Sequence, residues 1–305
     1  MTALDDFHPD LAPLAAQLPQ HIIDASTLPQ IREATEQLKG ETSSDDVETT
    51  QLPSGASMRV LRGQGCTASR APGLLWLHGG GYVMGTARQD ETLCRRFADE
   101  LGITVGAVDY RLAPEHPYPA SLDDCDAALS ALAGLDGVDS TRIAVGGASA
   151  GAGVAAAWAI RLRDRGTGGL CFQLLTYPML DDRSTQRAHA NADNFRLWDK
   201  ASNEFGWSAY LGDADPAQAV PARQADLSGL PAAWIAVGTL DLFHDEAVAY
   251  GDRLRASGVP CKVSILPGAF HGFDSVAPEA GISQEFFAMQ RDALRAAFSH
   301  FKEGS

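Results

Sequence analysis

The sequence predicts an α/β fold, a mostly parallel central sheet covered by helices on both faces. Three observations carry this reading. Past residue 70, short β-like runs alternate with amphipathic segments of helical length, and the runs are apolar almost throughout, as strands buried on both faces must be. The strands are expected at 74–78 (LLWLH), 103–110 (ITVGAVDY), 142–147 (RIAVGG), 172–178 (FQLLTYP), 234–238 (WIAVG) and 262–266 (KVSIL). Helices are expected near 88–101, 119–134, 150–165, 245–257 and 284–300.

Two stretches fall outside this rhythm. Residues 1–45 show helical spacing at Leu11, Leu14, Ala15 and Leu18 and again at Ile31, Ala34 and Leu38, before the polar linker GETSSDDVETT (40–50). Residues 184–226, between two strands, carry Phe195, Leu197, Trp198, Phe205, Trp207, Tyr210 and Leu211. The short helices cannot bury their apolar faces alone. Both stretches are therefore expected to pack as one small helical cap on the carboxyl edge of the sheet, where open α/β folds bind ligands. The chain then divides into cap (1–45), core (46–183), cap insertion (184–226) and core (227–305).

Composition excludes several functions. The chain has 305 residues, which suits one large core with an accessory lobe, and no apolar run long enough to span a bilayer. A formal charge of −15 repels phosphate backbones and anionic lipid surfaces, so neither nucleic acid nor membrane is an expected partner. The start, MTALDDFHPD, is acidic where a secretory signal would be basic and then apolar, which suggests a cytoplasmic address. Cys66, Cys94, Cys125, Cys171 and Cys261 are scattered, without a C-x-x-C pair, and are read as reduced and mostly buried. No metal cluster, P-loop or dinucleotide fingerprint is present in the sequence, and no cofactor is expected.

The chemistry concentrates in four places. Gly147-Ala148-Ser149-Ala150-Gly151 follows a strand and opens a helix, the context of a nucleophile elbow. The pentapeptide pattern alone is weak evidence in a chain with 30 glycines; its placement strengthens it. His78-Gly79-Gly80-Gly81 follows the first apolar run, and consecutive glycines let backbone N–H groups face a developing negative charge. Its expected oxyanion donors are the N–H groups of Gly80 and Gly81, with that of Ala150 from the elbow. A serine hydroxyl needs a base held by a carboxylate. His271, in the loop past the last apolar run, is the expected base, and Asp241, ending WIAVGTLD, the expected acid. Asp181 and Asp182 are the runner-up acids, and Asp245 and Glu246 are accounted for by the helix dipole.

Together HGGGYVMG, DYRLAPEHPYPASLDD, GASAG, GTLDLFHDE and GAFHGF closely resemble the hormone-sensitive-lipase family of esterases, within the α/β-hydrolase fold. The resemblance runs in register from about Leu74 to the carboxyl terminus, and the overall pattern also looks like the bacterial branch that includes heroin esterase and acetyl hydrolases. It implies Ser149 as nucleophile, Asp241 as acid, His271 as base, and Gly80, Gly81 and Ala150 as oxyanion donors. It also implies that His78 and residues 110–115 steady the site and that the cap combines the N-terminal segment with an insertion; homodimers are common in the family. The substrate implied is a small ester with a short acyl group. The sequence departs from the family at Ala148, usually Asp or Thr, and at His244, often Arg. The expected reaction is ester hydrolysis through an acyl-enzyme. An amidase or deacetylase with the same triad, an interfacial lipase, and a non-catalytic ligand-binding relative are the alternatives. Neither Phe195, Trp198, Phe205 nor Trp207 is assigned to substrate.

Overall fold

The structure is a computed structural model that describes residues 6–18, 22–38, 47–64, 70–187 and 192–300. Cys66, His21, His189 and residues 40–46 of the expected linker lie outside the described residues. The strands are Glu48–Gln51 (β1), Ser57–Arg62 (β2), Ala71–Leu77 (β3), Thr104–Asp109 (β4), Val138–Ala148 (β5), Phe172–Thr176 (β6), Ala233–Leu240 (β7) and Cys261–Phe270 (β8). They form one sheet in the order β1-β2-β4-β3-β5-β6-β7-β8. β1, β2 and β4 pair antiparallel, and the remaining neighbours are parallel. This is the expected α/β class, with an antiparallel edge that the apolar runs do not reveal.

That edge corrects the expected linker, because its last residues, Glu48 to Thr50, belong to β1. β1 pairs only with β2 and is mostly exposed, so a polar sequence suits it. β2 is half-hidden for a related reason: its burial centres on Met58, Val60 and Leu61, with polar residues interleaved.

The helices are Ala12–Ala15 (α1), Leu28–Leu38 (α2), Glu91–Leu101 (α3), Ala120–Ala133 (α4), Ala150–Asp164 (α5), Lys200–Leu211 (α6), Pro216–Ala219 (α7), His244–Ala256 (α8), Phe273–Val276 (α9) and Gly281–His300 (α10). Among the described residues none is long and apolar enough to cross a membrane. α5 is buried along almost its whole length, including Val154 and Trp158, and its alanines let it lie close to the sheet. A Cβ on Gly151 would stand 2.1 Å from the Leu77 carbonyl oxygen, so only glycine permits this crossing. Cys94, Cys125 and Cys171 are buried and unpaired, as expected of small apolar side chains.

The two off-rhythm stretches touch each other. Ile23 N donates to Ser202 Oγ at 2.9 Å, Arg196 Nε to the Ala15 carbonyl at 2.8 Å, and Asn194 Nδ2 to Asp6 Oδ2 at 3.1 Å. They also meet the core: Phe7 packs edge-on against Phe270 at 6.1 Å, and Arg32 Nε donates to the Val83 carbonyl at 2.7 Å. Arg32 also forms a forked pair with Glu115, at 2.7 and 3.0 Å, which ties α2 to the loop after β4.

Glu246 lies in the first turn of α8, where the dipole favours it, and it does more than the dipole requires. Its buried carboxyl accepts from Leu180 N at 2.6 Å and Asp181 N at 3.2 Å, and from the Ser184 hydroxyl. Burial pushes the carboxyl up from 4.5 to about 8. Replacing it by Ala strands two buried N–H groups, and Glu246→Ala should lose about 3 kcal/mol in urea unfolding, with Glu246→Gln losing far less. The folded chain keeps the Glu246 proton to about pH 8, whereas the unfolded chain releases it near 4.5. Wild-type stability should therefore decline relative to the Gln variant as pH rises through that window.

Candidate active site

The site forms where β5 passes into α5. Ser149 takes φ 55° and ψ −118°, a conformation that residues with side chains rarely adopt. The surroundings hold it there. Its N–H donates to the Thr176 carbonyl at 2.9 Å, and its carbonyl accepts from Gly153 N at 3.0 Å and Met179 N at 3.1 Å. Thr176 in turn donates its hydroxyl to the Gly147 carbonyl at 2.7 Å, locking β6 to the turn. The side chain of Ser149 is thereby lifted off the sheet edge into a cavity.

His271 follows β8 directly and faces Ser149, with Nε2 and Oγ 2.9 Å apart. Its other nitrogen, Nδ1, lies 2.9 Å from Asp241 Oδ2. Asp241, in the turn between β7 and α8, is buried, and its second oxygen accepts from Phe243 N at 2.8 Å. The imidazole is held laterally by two edge-on rings, Tyr177 at 4.9 Å and Phe243 at 5.0 Å. The structure thus brings Ser149, His271 and Asp241 into one hydrogen-bonded line. The runner-up acids lie elsewhere: Asp181 is paired with Arg183 and Arg187, and Asp182 with Arg223. His244 is partly exposed on α8, its Nδ1 2.8 Å from Asp245 Oδ1.

The glycine loop after β3 lines the same cavity, together with Ser149 and His271. Among the described residues, the N–H groups of Gly80, Gly81 and Ala150 donate to no protein acceptor. Gly81 has φ 59°, and a Cβ there would fall 2.0 Å from Trp198 Cη2, so the indole sits directly on the loop. The loop is braced from behind. The His78 ring stacks on Tyr110 at 4.3 Å, and the Tyr110 hydroxyl donates to the His78 carbonyl at 2.8 Å. Arg111, next in sequence, binds the buried Asp124 through its backbone N–H at 2.8 Å and its Nε at 2.9 Å. Asp109 accepts from Ala87 N at 2.7 Å, fixing the far end of the loop.

The cavity holds about 280 Å³, and Leu197 and Trp198, from the stretch between β6 and β7, close one wall of it. Of the four cap aromatics considered from sequence, Trp198 alone lines this cavity. Trp207 packs instead against Tyr82, in the segment after β3, at 5.1 Å and against Tyr210 of its own helix at 5.9 Å. Asp90, Tyr177 and Ser275 also line the cavity, and no motif pointed to them. They come from a 3₁₀ turn, a strand end and a four-residue helix, whose side-chain directions have no periodic signature. Among the described residues no group of His, Cys, Asp and Glu is arranged to hold a metal ion.

Known proteins agree with this architecture. A family model described as alpha/beta hydrolase fold matches residues 74–275. Esterase LipI of Mycobacterium tuberculosis is 42% identical over 214 residues, covering 67% of this chain and 66% of LipI, just under two thirds of that relative. An acetyl-hydrolase of Streptomyces hygroscopicus is 34% identical over 201 residues, covering 65% of this chain and 67% of the relative. Among solved structures, a bacterial heroin esterase superposes with a TM-score of 0.87 at 34% identity, covering 97% of this chain and 99% of that one. The chain belongs to the hormone-sensitive-lipase type of the α/β-hydrolase family.

Proposed function

We propose that the chain is a serine carboxylesterase that hydrolyses small esters with short acyl groups through an acyl-enzyme. The observation that carries this reading is the line Ser149–His271–Asp241, with 2.9 Å at each link, beside three N–H groups that donate to no protein acceptor among the described residues. Ser149 Oγ attacks the ester carbonyl while His271 Nε2 takes its proton. Asp241 holds the imidazole in the required tautomer and offsets its positive charge. The oxyanion is received by the N–H groups of Gly80, Gly81 and Ala150. His271 then gives its proton to the departing alkoxide and activates water to release the acid.

The substrate class is supported by the relatives' names, among them an acetyl-hydrolase and, from Pseudomonas putida, an ethyl acetate hydrolase. It is also supported by a cavity of about 280 Å³, small for a ligand pocket. We take residues 1–45 and 184–226 as one cap, on the strength of the contacts between them.

Ser149→Ala should lower kcat/KM for p-nitrophenyl acetate by about a thousandfold or more, and Asp241→Asn by a comparable factor, with both proteins still folded by circular dichroism. Retention of wild-type rate in Ser149→Ala would refute the assignment. Across p-nitrophenyl esters, kcat/KM should fall from acetate and butanoate to decanoate, and Trp198→Ala should shift that profile towards longer chains. An unshifted profile would remove Trp198 from the acyl-limiting wall.

A further inference from the structure

The active-site cavity does not end at Ser149. Past Ala148 it adjoins a second cavity of about 280 Å³, and the two share Gln89, Asp90, Ala148, Tyr177 and Ser275 as walls. Position 148, where the family usually carries a larger side chain, here presents only a methyl group between them. A substrate arm leaving the ester carbonyl can therefore extend into this space.

The second cavity is chemically unlike an acyl pocket. Two carboxyls, Asp90 and Asp274, line it, and each is engaged by a neutral donor: Trp76 Nε1 at 2.7 Å from Asp90 Oδ2, and the Tyr177 hydroxyl at 2.9 Å from Asp274 Oδ1. Among the described residues neither carboxyl has a Lys or Arg partner. Arg96 also lines the cavity, but its guanidinium lies over the Phe287 ring at 3.6 Å and is directed to Gln284 at 3.0 Å and Glu100 at 3.7 Å. A second, independent observation comes from α10. Ser283 Oγ and Gln290 Oε1, on residues 4% and 1% exposed, line the same cavity and have no hydrogen-bond partner. Buried polar atoms usually have a hydrogen-bond partner, and these two have none among the described residues and so are free to accept from a ligand.

Resting on the ester-hydrolase reading above, we propose that this second cavity is a cation subsite, which receives an ammonium group carried on one arm of the ester and recognises it through Asp90 and Asp274. An ammonium supplies both missing features, a positive charge for two carboxyls and N–H donors for the vacant acceptors. Burial, followed by the charge of Asp274, pushes Asp90 up to about 7, and burial pushes Asp274 up to about 6. A cation relieves that unfavourable state, whereas a neutral alkyl chain adds to it.

The test compares isosteric esters at pH 7. For the acyl arm the pair is p-nitrophenyl 3-aminopropanoate against p-nitrophenyl butanoate. For the alcohol arm it is 2-(dimethylamino)ethyl acetate, whose protonated amine carries an N–H, against its neutral isostere 3-methylbutyl acetate. On one arm kcat/KM should favour the cationic member about tenfold or more, and Asp90→Asn and Asp274→Asn should each cut that ratio at least fivefold. Ratios that both variants leave unchanged, or a wild-type ratio near one on both arms, would overturn the subsite. Should a variant not fold, wild type decides alone: at matched ionic strength, propylammonium should inhibit p-nitrophenyl acetate hydrolysis at a concentration at least tenfold below that of propan-1-ol, and equal inhibition overturns the proposal. If wild type hydrolyses neither p-nitrophenyl acetate nor any member of the pairs, the ester-hydrolase reading fails. If it hydrolyses the neutral esters well without cation preference, the subsite alone fails.

Discussion

The close crossing of α5 over the ends of β3 and β5 is the constraint on which the rest of this molecule depends. With a side chain on Gly151 the helix could not approach the Leu77 and His78 carbonyls, which would lie 2.1 and 2.4 Å from its Cβ. With the helix held that close, the chain has one residue in which to turn from strand to helix axis, and that residue is Ser149 at φ 55°. The strained turn both raises the hydroxyl and aims the first N–H of α5 at the same space. In the proposed mechanism the backbone thus supplies a nucleophile and an electrostatic stabiliser through a single packing decision, and strand pairing with β6 holds the turn in place.

Around that turn the polar groups are held by neighbours of complementary chemistry. Asp241 is buried, yet its oxygens meet His271 Nδ1 and Phe243 N, so its burial is compensated. His78 and Tyr110 brace the glycine loop through stacking and one hydrogen bond, and the Arg111–Asp124 pair ties the following segment to α4. Trp198, resting on Gly81, adds the last wall. The carboxyls of Asp90 and Asp274 differ in meeting only neutral donors, Trp76 Nε1 and the Tyr177 hydroxyl, which is the basis of the proposed cation subsite.

Most of the frame was legible in the sequence because parallel strands buried on both faces write themselves as apolar runs. β3 to β8 and the helices α3, α4, α5, α8 and α10 fall at or near the expected positions. β1 was not legible, since a polar edge strand paired on one side looks like linker. Ser149, Asp241 and His271 could be named because each lies at the end of a strand, where backbone direction alone brings side chains to one edge. Trp198, Asp90 and Tyr177 could not be assigned. Their places depend on how a cap loop, a 3₁₀ turn and a strand end fold back on the core, and such returns leave no periodic trace. Glu246 illustrates the same limit: its position at a helix start was readable, whereas its grip on Leu180 and Asp181 was not.

The central claim is that Ser149 becomes acylated during turnover. Rapid acid quenching of the wild-type enzyme with excess p-nitrophenyl acetate, followed by peptide mass spectrometry, tests it directly. The account predicts an acetyl group on the peptide bearing Ser149, formed at the rate of p-nitrophenolate release and absent from Ser149→Ala. Ester turnover with no acetylated peptide, or with the acetyl group on another residue, would contradict it.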